Sequence, residues 1–376
     1  MSSVIIERQK SGPAAALRKA IDSSEFLRAI AAARPLTAST QVLRPLKPAE
    51  IQTLQAQHNA AEDWSRIQVA PGFNPHKVVG CFFSGDIQLG SFNKKVAVEP
   101  GVMLGSGIYN CDLSNVSVGD DSYLCNNDLI ANIHIGSGVI IRGCGSVCCT
   151  GDTTFGNGQQ VSLGLEVSGR ETGLFAEITV EIAAKVAARR NDPEELALYA
   201  RLIDEYKHRA HSTISVIDSN AVLKNTPKVV NTYVGPHAVI DSATWLENVT
   251  VLSSREEPTR IASGACVKDA IIQWGSRVET QAIVETSVCC EHSFVQAHGS
   301  LVNSLLGPNS GVGQGSAGIR WSAPLSASTT RRCWSRRTGR KARATSATAP
   351  TSGPITPARR PTRKSGREKA CSSGWV

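Results

Sequence analysis

The sequence has few aromatic residues and no long apolar run, and both absences limit the kind of core it can form. Aromatic side chains account for 5% of the 376 residues, whereas the chain contains 32 glycines and is 41% hydrophobic. A core built on large rings is therefore excluded, and thin layers of small aliphatic side chains are favoured. The length suits one large domain or two ordinary domains with a sizeable core.

A secretory signal is also missing from the start of the chain. Residues 1–24, MSSVIIERQKSGPAAALRKAIDSS, carry charges where an apolar segment would be needed, and no membrane-spanning run follows. With eleven cysteines, this predicts a cytoplasmic protein without a membrane partner. Adjacent cysteines in a strand point to opposite faces, so Cys148–Cys149 and Cys289–Cys290 indicate buried cysteines and not a zinc knuckle or a redox motif.

The formal net charge of +8 is unevenly distributed along the chain. The excess of Arg and Lys lies from Arg320 onward, and the remainder is close to neutral. A solvated basic tail explains this charge more simply than a nucleic-acid-binding surface, so we do not expect nucleic acid as a partner.

Two helical patterns precede the first repeats. Ser11, Gly12 and Pro13 introduce AAALRKAIDSSEFLRAIAAA, and Pro48 introduces AEIQTLQAQHNAAEDWSRI. Residues 1–75 are therefore predicted to form an N-terminal helical arm. We expect the arm to pack on an end of the domain that follows.

From about Val78 the period shortens to units of about six residues. Each unit combines inward aliphatic residues with small and polar turn residues, so three units close one coil of short strands. The clearest units are VAVEPGVMLGSG (96–107), VSVGDDSYL (116–124), IHIGSGVII (133–141), YVGPHAVID (233–241) and RIASGACV (260–267).

The register of the later units supports this interpretation. Ile272, Cys289 and Leu306 are 17 residues apart, and so are Val278, Val295 and Val312. Because each layer of a stacked solenoid buries its neighbour, both series should mark positions that stack from coil to coil. The sequence therefore predicts a mainly β chain that forms a left-handed parallel β-helix.

A helical segment interrupts the repeats. Residues 174–211 indicate a hairpin of two helices, divided at Asn191–Pro193 with Asp192 as the cap of the second. An apolar stripe predicts packing on the coils or on another subunit, and a lid over a substrate site is the alternative. The stripe is formed by Leu196, Tyr199, Ile203 and Tyr206.

These limits place the coils at residues 76–173 and 212–315. Residues 316–376 are rich in Arg, Ser, Thr, Ala and Pro, which is typical of a disordered tail. A shift of reading frame near Gln314 to Ile319 is the other interpretation, because another frame can encode a peptide with repeat-like spacing.

The repeats at 98–139 and 233–312 resemble the hexapeptide-repeat superfamily. Its members include serine, maltose and lipid A acyltransferases and the C-terminal domains of sugar-phosphate nucleotidyltransferases. The stretches QAQHNAAEDWSRIQV (55–69) and VVGCFFSGDIQLGSF (78–92), followed by the helical insertion, look more like an uncharacterised bacterial family labelled as related to UDP-N-acetylglucosamine pyrophosphorylase. This likeness covers most of residues 40–315. The nucleotide-binding domain that pyrophosphorylase chemistry needs has no counterpart in the N-terminal ~75 residues.

The resemblance implies a transferase that acts on an activated acyl group, such as acetyl-CoA, or on a UDP-sugar. A non-catalytic structural or ligand-binding β-helix is the alternative. The superfamily also implies a homo-oligomer, with a trimer favoured, and we predict no firmly bound cofactor and no metal site.

Acyl transfer in this superfamily needs a base, which the resemblance implies is a histidine at a coil edge. His134 and His298 are the catalytic candidates, and His134 should project outward between Ile133 and Ile135. An ordinary exposed or turn histidine remains the other interpretation of each. The candidate substrate-binding residues are Asn126, Asn132, Arg142 and His237.

Three further side chains lie at the end of the inserted helical segment. Glu205, His208 and His211 have a near-helical spacing that a metal site could use, but histidines at a helix end also complement the helix dipole. The second interpretation is preferred.

Overall fold

The computed structural model describes residues 12–33, 43–162, 171–189, 191–318 and 321–322, so most of the tail predicted for 316–376 lies outside the described residues. Its α-helices are α1 (Pro13–Ser23), α2 (Glu25–Ala32), α3 (Pro48–Ala56), α4 (Val180–Ala188) and α5 (Pro193–Ala210), and two short 3₁₀ helices span Trp64–Arg66 and Pro75–Lys77. Its strands in chain order are β1 (Arg44–Pro45), β2 (Ala60–Ala61), β3 (Ile67–Val69), β4 (Val78–Val79), β5 (Phe82–Leu89), β6 (Lys95–Glu99), β7 (Val102–Gly105), β8 (Gly107–Val118), β9 (Tyr123–Ile135), β10 (Ile140–Arg142), β11 (Ser146–Cys148), β12 (Gln160–Ser162), β13 (Glu171–Gly173), β14 (Ser215–Ile217), β15 (Val222–Lys224), β16 (Lys228–Val234), β17 (Val239–Asp241), β18 (Trp245–Val251), β19 (Arg260–Ala262), β20 (Cys266–Ile272), β21 (Arg277–Val278), β22 (Ile283–Glu285), β23 (Val288–Cys289), β24 (Phe294–Gln296), β25 (Ser300–Val302), β26 (Leu305–Leu306), β27 (Gly311–Gly313), β28 (Ser316–Gly318) and β29 (Trp321–Ser322).

The protein is mainly β, and its short strands stack in three parallel ladders. Ladder I runs through β4, β8, β9, β10, β15, β17, β19, β21, β24 and β27. Ladder II runs through β2, β5, β8, β9, β11, β16, β18, β20, β22, β25 and β28. Ladder III runs through β3, β5, β8, β9, β14, β16, β18, β20, β23, β26 and β29. One coil contributes a strand to each ladder, and the longer strands bend from one ladder into the next.

The predicted register is confirmed. Ile272 pairs with Cys289, which pairs with Leu306 on ladder III. Val278 pairs with Val295, which pairs with Val312 on ladder I. The stacked inward side chains form one apolar interior in which each coil covers the next.

The corners between ladders use backbone in the left-handed region. Asparagines supply many of these positions because their short polar side chains tolerate positive φ and can bond to the next coil. At the corner between ladders II and III, Asn115 Nδ2 donates to Asn132 Oδ1 at 3.2 Å, and Asn132 Nδ2 donates to the Cys149 carbonyl at 2.9 Å.

One predicted repeat is wrong. The unit at residues 96–107 is not a coil, because β6 and β7 pair antiparallel and form a hairpin. Pro100 and Gly101 form its turn, with Gly101 at φ 80°. Side chains alternate between the two faces of the strand in a hairpin and also in the short strands of a coil. The pattern of apolar and small residues therefore did not separate the two structures.

A layer of helices covers ladder III. The helical insertion contains two helices, α4 and α5, and the Asp192 carboxylate caps α5 by accepting from Glu195 N at 3.1 Å. Helices α1 and α2, separated at Ser24, pack with α4 and α5 in one apolar cluster. The outward side chains of ladder III complete this cluster, namely Val216, Tyr233, Ile271, Val288 and Leu305.

The predicted segment boundaries need correction at several points. Strands β2 and β3 already pair with β5, inside the stretch expected to be a helical arm. Helices α1 and α2 pack beside the coils and not on an end, whereas Leu54 of α3 joins the coil interior. The chain leaves the ladders after Cys148 and not at 174, since β12 and β13 form a separate antiparallel pair. Ladder strands also continue past 315, through β28 and β29.

The cysteine prediction agrees with the described structure. Cys289 lies in the coil interior and Cys290 in the helical-layer cluster, on opposite faces of the chain, and Cys148 and Cys149 are buried as well. Burial raises the pKa of Cys289 to about 12, so this thiol stays protonated and behaves as an apolar side chain. Within the described ranges, no helix has both the length and the apolar character to cross a bilayer.

Candidate functional site

An open polar groove lies where the helical insertion leaves and rejoins the coils. The chain departs after β11 and returns at β14, and the two limbs meet at Thr153 and Ser212, whose backbone groups exchange two hydrogen bonds of 2.9 Å. The groove has a volume of about 370 Å³. It is lined by Asp152, Thr153, Thr154, His211, Asn231, Glu247, Asn248 and Asp269.

A histidine–carboxylate pair forms one wall of the groove. His211 follows α5 and its amide donates to the Lys207 carbonyl at 2.8 Å, which fixes the start of the returning limb. Its ring Nε2 lies 3.0 Å from Asp152 Oδ1. Because an ionised carboxylate only accepts, Nε2 carries the proton and Nδ1 can accept one. A histidine general base that is oriented by a carboxylate has this arrangement.

The floor of the groove is the corner between ladders II and III. Asn231, Asn248 and Asp269 occupy successive left-handed positions, with φ of 52°, 56° and 49°. Asn248 ties the departing limb to the coils, because its Oδ1 accepts from Gly156 N at 2.9 Å and from Thr153 Oγ1 at 3.1 Å. Its Nδ2 donates to Asp269 Oδ1 at 2.6 Å. These bonds attach the departing limb, which carries Asp152 of the His211–Asp152 pair, to the coils.

Carboxylates dominate the charge of the groove. Asp152, Glu247 and Asp269 face it, and the hydrogen bond from Lys228 Nζ at 2.9 Å holds the pKa of Glu247 below its ordinary value. The field favours an ammonium or a hydroxyl donor and opposes a phosphate. Among the described residues, no group of three or more His, Cys, Asp or Glu side chains is arranged to hold a metal ion.

His134 projects outward from ladder III, as expected. Its neighbours in register are Ser117 and Val216, and it is half-buried. Burial lowers the pKa of His134, although the nearby Asp218 opposes this shift, so the ring is neutral at neutral pH. Its position is at the face of ladder III and not at the corner that forms the groove.

The other predicted site residues are spread over the corners. His298 is exposed at the corner between ladders I and II with φ 61°, and His237 is half-buried at the corner between ladders III and I with φ 60°. Asn126 lies beside Arg142, which pairs with Cys125 in the adjacent coil, and Asn132 precedes His134 by two residues on β9, but these two groups and His237 and His298 are at different places on the coils. The structure therefore does not bring the predicted catalytic and binding residues into one site.

The two predicted asparagines have clear structural partners. Asn126 Oδ1 accepts from Asn110 Nδ2 at 3.1 Å, and Asn132 bridges Asn115 and the Cys149 carbonyl. Both have positive φ. Their side chains stabilise corners, and a role in substrate binding stays a prediction.

The sequence drew attention to His211 but gave no sign of its partner. Of the side chains grouped with it, Glu205 instead pairs with Arg18 at 3.2 Å. Asp152 is far away in sequence, in a Gly- and Thr-rich stretch that looked like another coil. No local spacing could have joined Asp152 to His211, since the insertion between them brings them together.

Comparison with known proteins identifies a family and one distant relative. The chain is 24% identical over 246 residues to an uncharacterised protein of Treponema pallidum (strain Nichols), across 62% of this chain and 34% of the relative. The chain thus spans about a third of the length of that curated relative. Residues 43–333, most of the chain, match the family described as Domain of unknown function (DUF4954). The chain belongs to this family.

Proposed function

We propose that the protein is a cytoplasmic transferase of the hexapeptide-repeat class that acts on an activated acyl or sugar-nucleotide substrate. The observation that carries the proposal is the His211–Asp152 pair, 3.0 Å apart, on the wall of an open groove. A base held by a carboxylate and open to solvent can meet an acceptor, which a buried histidine cannot do.

The proposal includes a left-handed β-helix that assembles as a homotrimer. Its support is the repeat spacing and the three parallel ladders, and the handedness comes from the resemblance to the hexapeptide-repeat superfamily. The trimer comes from the resemblance to hexapeptide-repeat transferases.

The chemistry follows from the orientation of the ring. Nδ1 of His211 takes the proton from an acceptor hydroxyl or amine as that atom attacks the activated carbonyl or sugar carbon. The bond from that carbon to the CoA sulfur or the UDP oxygen breaks, and the imidazolium returns the proton to the leaving group. Asp152, bonded to Nε2, stabilises the imidazolium that forms. The three carboxylates of the groove attract an amine or hydroxyl acceptor and disfavour a phosphate beside the reacting carbon. Acetyl-CoA fits this field better than a UDP-sugar, because its phosphates are distant from the thioester and can bind outside the groove.

Ligand binding provides the first test. Acetyl-CoA and UDP-N-acetylglucosamine are added to the purified protein, and thermal unfolding is followed. A ligand at a hundred times its dissociation constant should stabilise the fold by about 2.7 kcal/mol. A raised melting temperature with one of the two identifies the donor.

Substitution of the pair provides the second test, using release of CoA thiol or UDP in the presence of glucosamine as the acceptor. His211→Asn should lower the rate about 10²- to 10⁴-fold, which is the usual contribution of a general base. His208→Asn is the matched control, because His208 is an exposed histidine in the last turn of α5, three residues before His211. His134→Ala and His298→Ala test the two histidines that the sequence predicted as catalytic, and we expect both variants to keep activity.

A non-catalytic β-helix is the other outcome. If neither ligand changes the melting temperature and no variant changes thiol or UDP release, the transferase proposal is wrong.

A further inference from the structure

Asp269 is one of the three carboxylates of the groove, and it differs from the other two. The Asp152 carboxylate lies 3.0 Å from the ring of His211, and Lys228 Nζ donates to Glu247 at 2.9 Å. Asp269 is half-buried, and among the described residues no Lys, Arg or His side chain forms an ion pair with it. Its charge is therefore the one in the groove that this part of the chain does not compensate.

The fold does not require a charge at position 269. Asn248 Nδ2 donates to Asp269 Oδ1 at 2.6 Å, and elsewhere on the same corner Asn115 Nδ2 donates to the amide oxygen of Asn132 at 3.2 Å. An asparagine can thus accept this bond, and asparagine also tolerates the left-handed backbone of Asp269, which has φ 49°. The second carboxylate oxygen, Oδ2, has no hydrogen-bond donor among the described residues, so it is available to a ligand.

Asp269 shares the groove with the His211–Asp152 pair. Asn248 connects the two, because its Oδ1 accepts from Thr153 Oγ1 at 3.1 Å and Thr153 follows Asp152 in the chain. The groove volume of about 370 Å³ is near the lower end of the range for small-molecule sites, which suits a molecule of the size of an amino sugar. One small molecule can therefore contact Asp269 and the ring of His211 together.

A cation is the ligand that the Asp269 carboxylate favours. Partial burial reduces the screening of its charge by water, and Asp152 and Glu247 add to the negative field. A metal ion would need more ligands, and the described residues contain no group of three or more that could hold one. A primary ammonium presents three donors and needs one carboxylate oxygen at a time. Since an ammonium has no lone pair, the atom that attacks must be another group of the same molecule.

We propose that Asp269 binds an ammonium group of the acceptor, which carries a separate hydroxyl or uncharged amine as its nucleophile. The inference rests on the proposed transferase function and identifies the acceptor as an amino sugar, an amino alcohol or a diamine. The ammonium keeps its protons and holds the acceptor in the groove. The nucleophile gives its proton to Nδ1 of His211 as it bonds to the activated carbon, and the leaving group receives that proton. Asp269 sets specificity and does not contact the reacting atoms.

Binding of glucosamine, with glucose as the uncharged comparison, tests the site without turnover. Ligand-observed NMR titrations at about pH 6.5, where the amine is protonated, should show at least tenfold tighter binding of glucosamine to the parent. Asp269→Asn keeps the bond from Asn248 and should weaken glucosamine about tenfold without changing glucose. Asp121→Asn is the matched control, because Asp121 occupies a left-handed corner position with φ 55° outside the groove, and it should change neither affinity.

Salt dependence gives a measurement that a structural role of Asp269 would not affect. Salt screens the attraction between an ammonium and a carboxylate, so the affinity of the parent for glucosamine should fall between about 0.01 M and about 0.3 M salt. The Asp269→Asn variant should show a smaller fall, and glucose should show none with either protein. Circular dichroism verifies that each variant is folded.

Kinetics separates this inference from the proposed function. With acetyl-CoA as the donor, Asp269→Asn should raise KM for glucosamine about tenfold and leave kcat nearly unchanged, because the ammonium is bound equally in the ground and transition states. His211→Asn should instead lower kcat. If no transfer occurs but glucosamine still binds more tightly to the parent than to Asp269→Asn, the transferase proposal is wrong and Asp269 remains a cation-binding residue. Equal affinity of the parent for glucosamine and glucose, or an unchanged glucosamine affinity in folded Asp269→Asn, would overturn the inference whatever the kinetics show.

Discussion

The coil interior and the helical layer are both buried, but they are held together in different ways. The interior repeats one contact, in which an aliphatic side chain packs on its counterpart 16 to 21 residues later in the uninterrupted coils. The helical layer has no repeat and relies on large aromatic side chains, with Phe26 packed at ring distances of 4.9 Å from Tyr233 and 6.1 Å from Phe155. The structure of the repeating coils can therefore be predicted from the spacing of residues in the sequence, whereas the packing of the helical layer, which does not repeat, cannot.

Two carboxyl groups in the helical layer show the same difference. Glu177 accepts from Ser24 Oγ at 2.5 Å and from Tyr206 Oη at 2.7 Å, joining α2 to α5. Glu195, 7% exposed, accepts from Ala14 N at 3.1 Å and so caps α1, which has no side-chain cap of its own. Among the described residues, the buried charged side chains are Glu195 and Lys224, and Lys224 pairs with Glu99 and Asp241 on the outside of ladder I. Polar contacts of this kind specify one docking geometry of the helices, and each depends on few atoms.

The largest effect is expected in the coil interior. Leu246 is fully buried on ladder II, so Leu246→Ala should lower the free energy of unfolding by about 2–5 kcal/mol through the cavity it leaves. Urea unfolding measures this loss, and hydrogen exchange should show lower protection in all three ladders. Ile283→Ala is the control on the same ladder, because its side chain is 46% exposed, and it should stay within about 0.5 kcal/mol. Loss of protection confined to one ladder would show that the coils do not unfold as a unit.

A smaller and more local effect is expected in the helical layer. Tyr206→Phe removes a donor from the partly buried Glu177 carboxyl and should cost about 1–3 kcal/mol. Hydrogen exchange should then increase in α1, α2, α4 and α5 while the ladders keep their protection. Tyr109→Phe is the control, since that hydroxyl is partly buried and makes a long contact of 3.5 Å to the Ser106 carbonyl. Equal loss of protection in the ladders would contradict the separation of the two regions.

The sequence predicted the parts of the fold that repeat. The 17-residue spacing of Ile272, Cys289 and Leu306 predicts their stacking, because each layer of a solenoid must be buried by the next. The start of α5 followed from Asp192 and Pro193, whose capping roles are local. The prediction of a coil for residues 96–107 was wrong because the strands of a hairpin and of a coil share the same alternation of side chains.

The candidate site followed from none of these local rules. His134 was expected to face outward and does so, but the groove lies at a corner that its own coil does not form. Asp152 and His211 are brought together by an insertion whose docking depends on singular contacts of Glu177 and Glu195. The site therefore belongs to the region that spacing cannot predict.

The smallest effect concerns pH and tests whether Glu177 titrates in the helical layer. Burial raises the pKa of Glu177 above its ordinary value of 4.5, partly opposed by the hydrogen bonds from Ser24 and Tyr206, and Glu25 adds repulsion. A folded-state pKa above the unfolded one gives stability that is complete below about pH 4.5 and is lost as the pH rises through the folded pKa.

Glu177→Gln removes this titration but keeps the size of the side chain. Urea unfolding at about pH 5 and about pH 8 should therefore show the parent losing more stability between the two than the variant. Glu181→Gln, a substitution in the first turn of α4, controls for the loss of a charge. Parallel pH curves for the parent and Glu177→Gln would mean that the carboxyl is ionised throughout. The helical layer would then hold a buried charge satisfied by Ser24 and Tyr206, and its docking would not respond to pH.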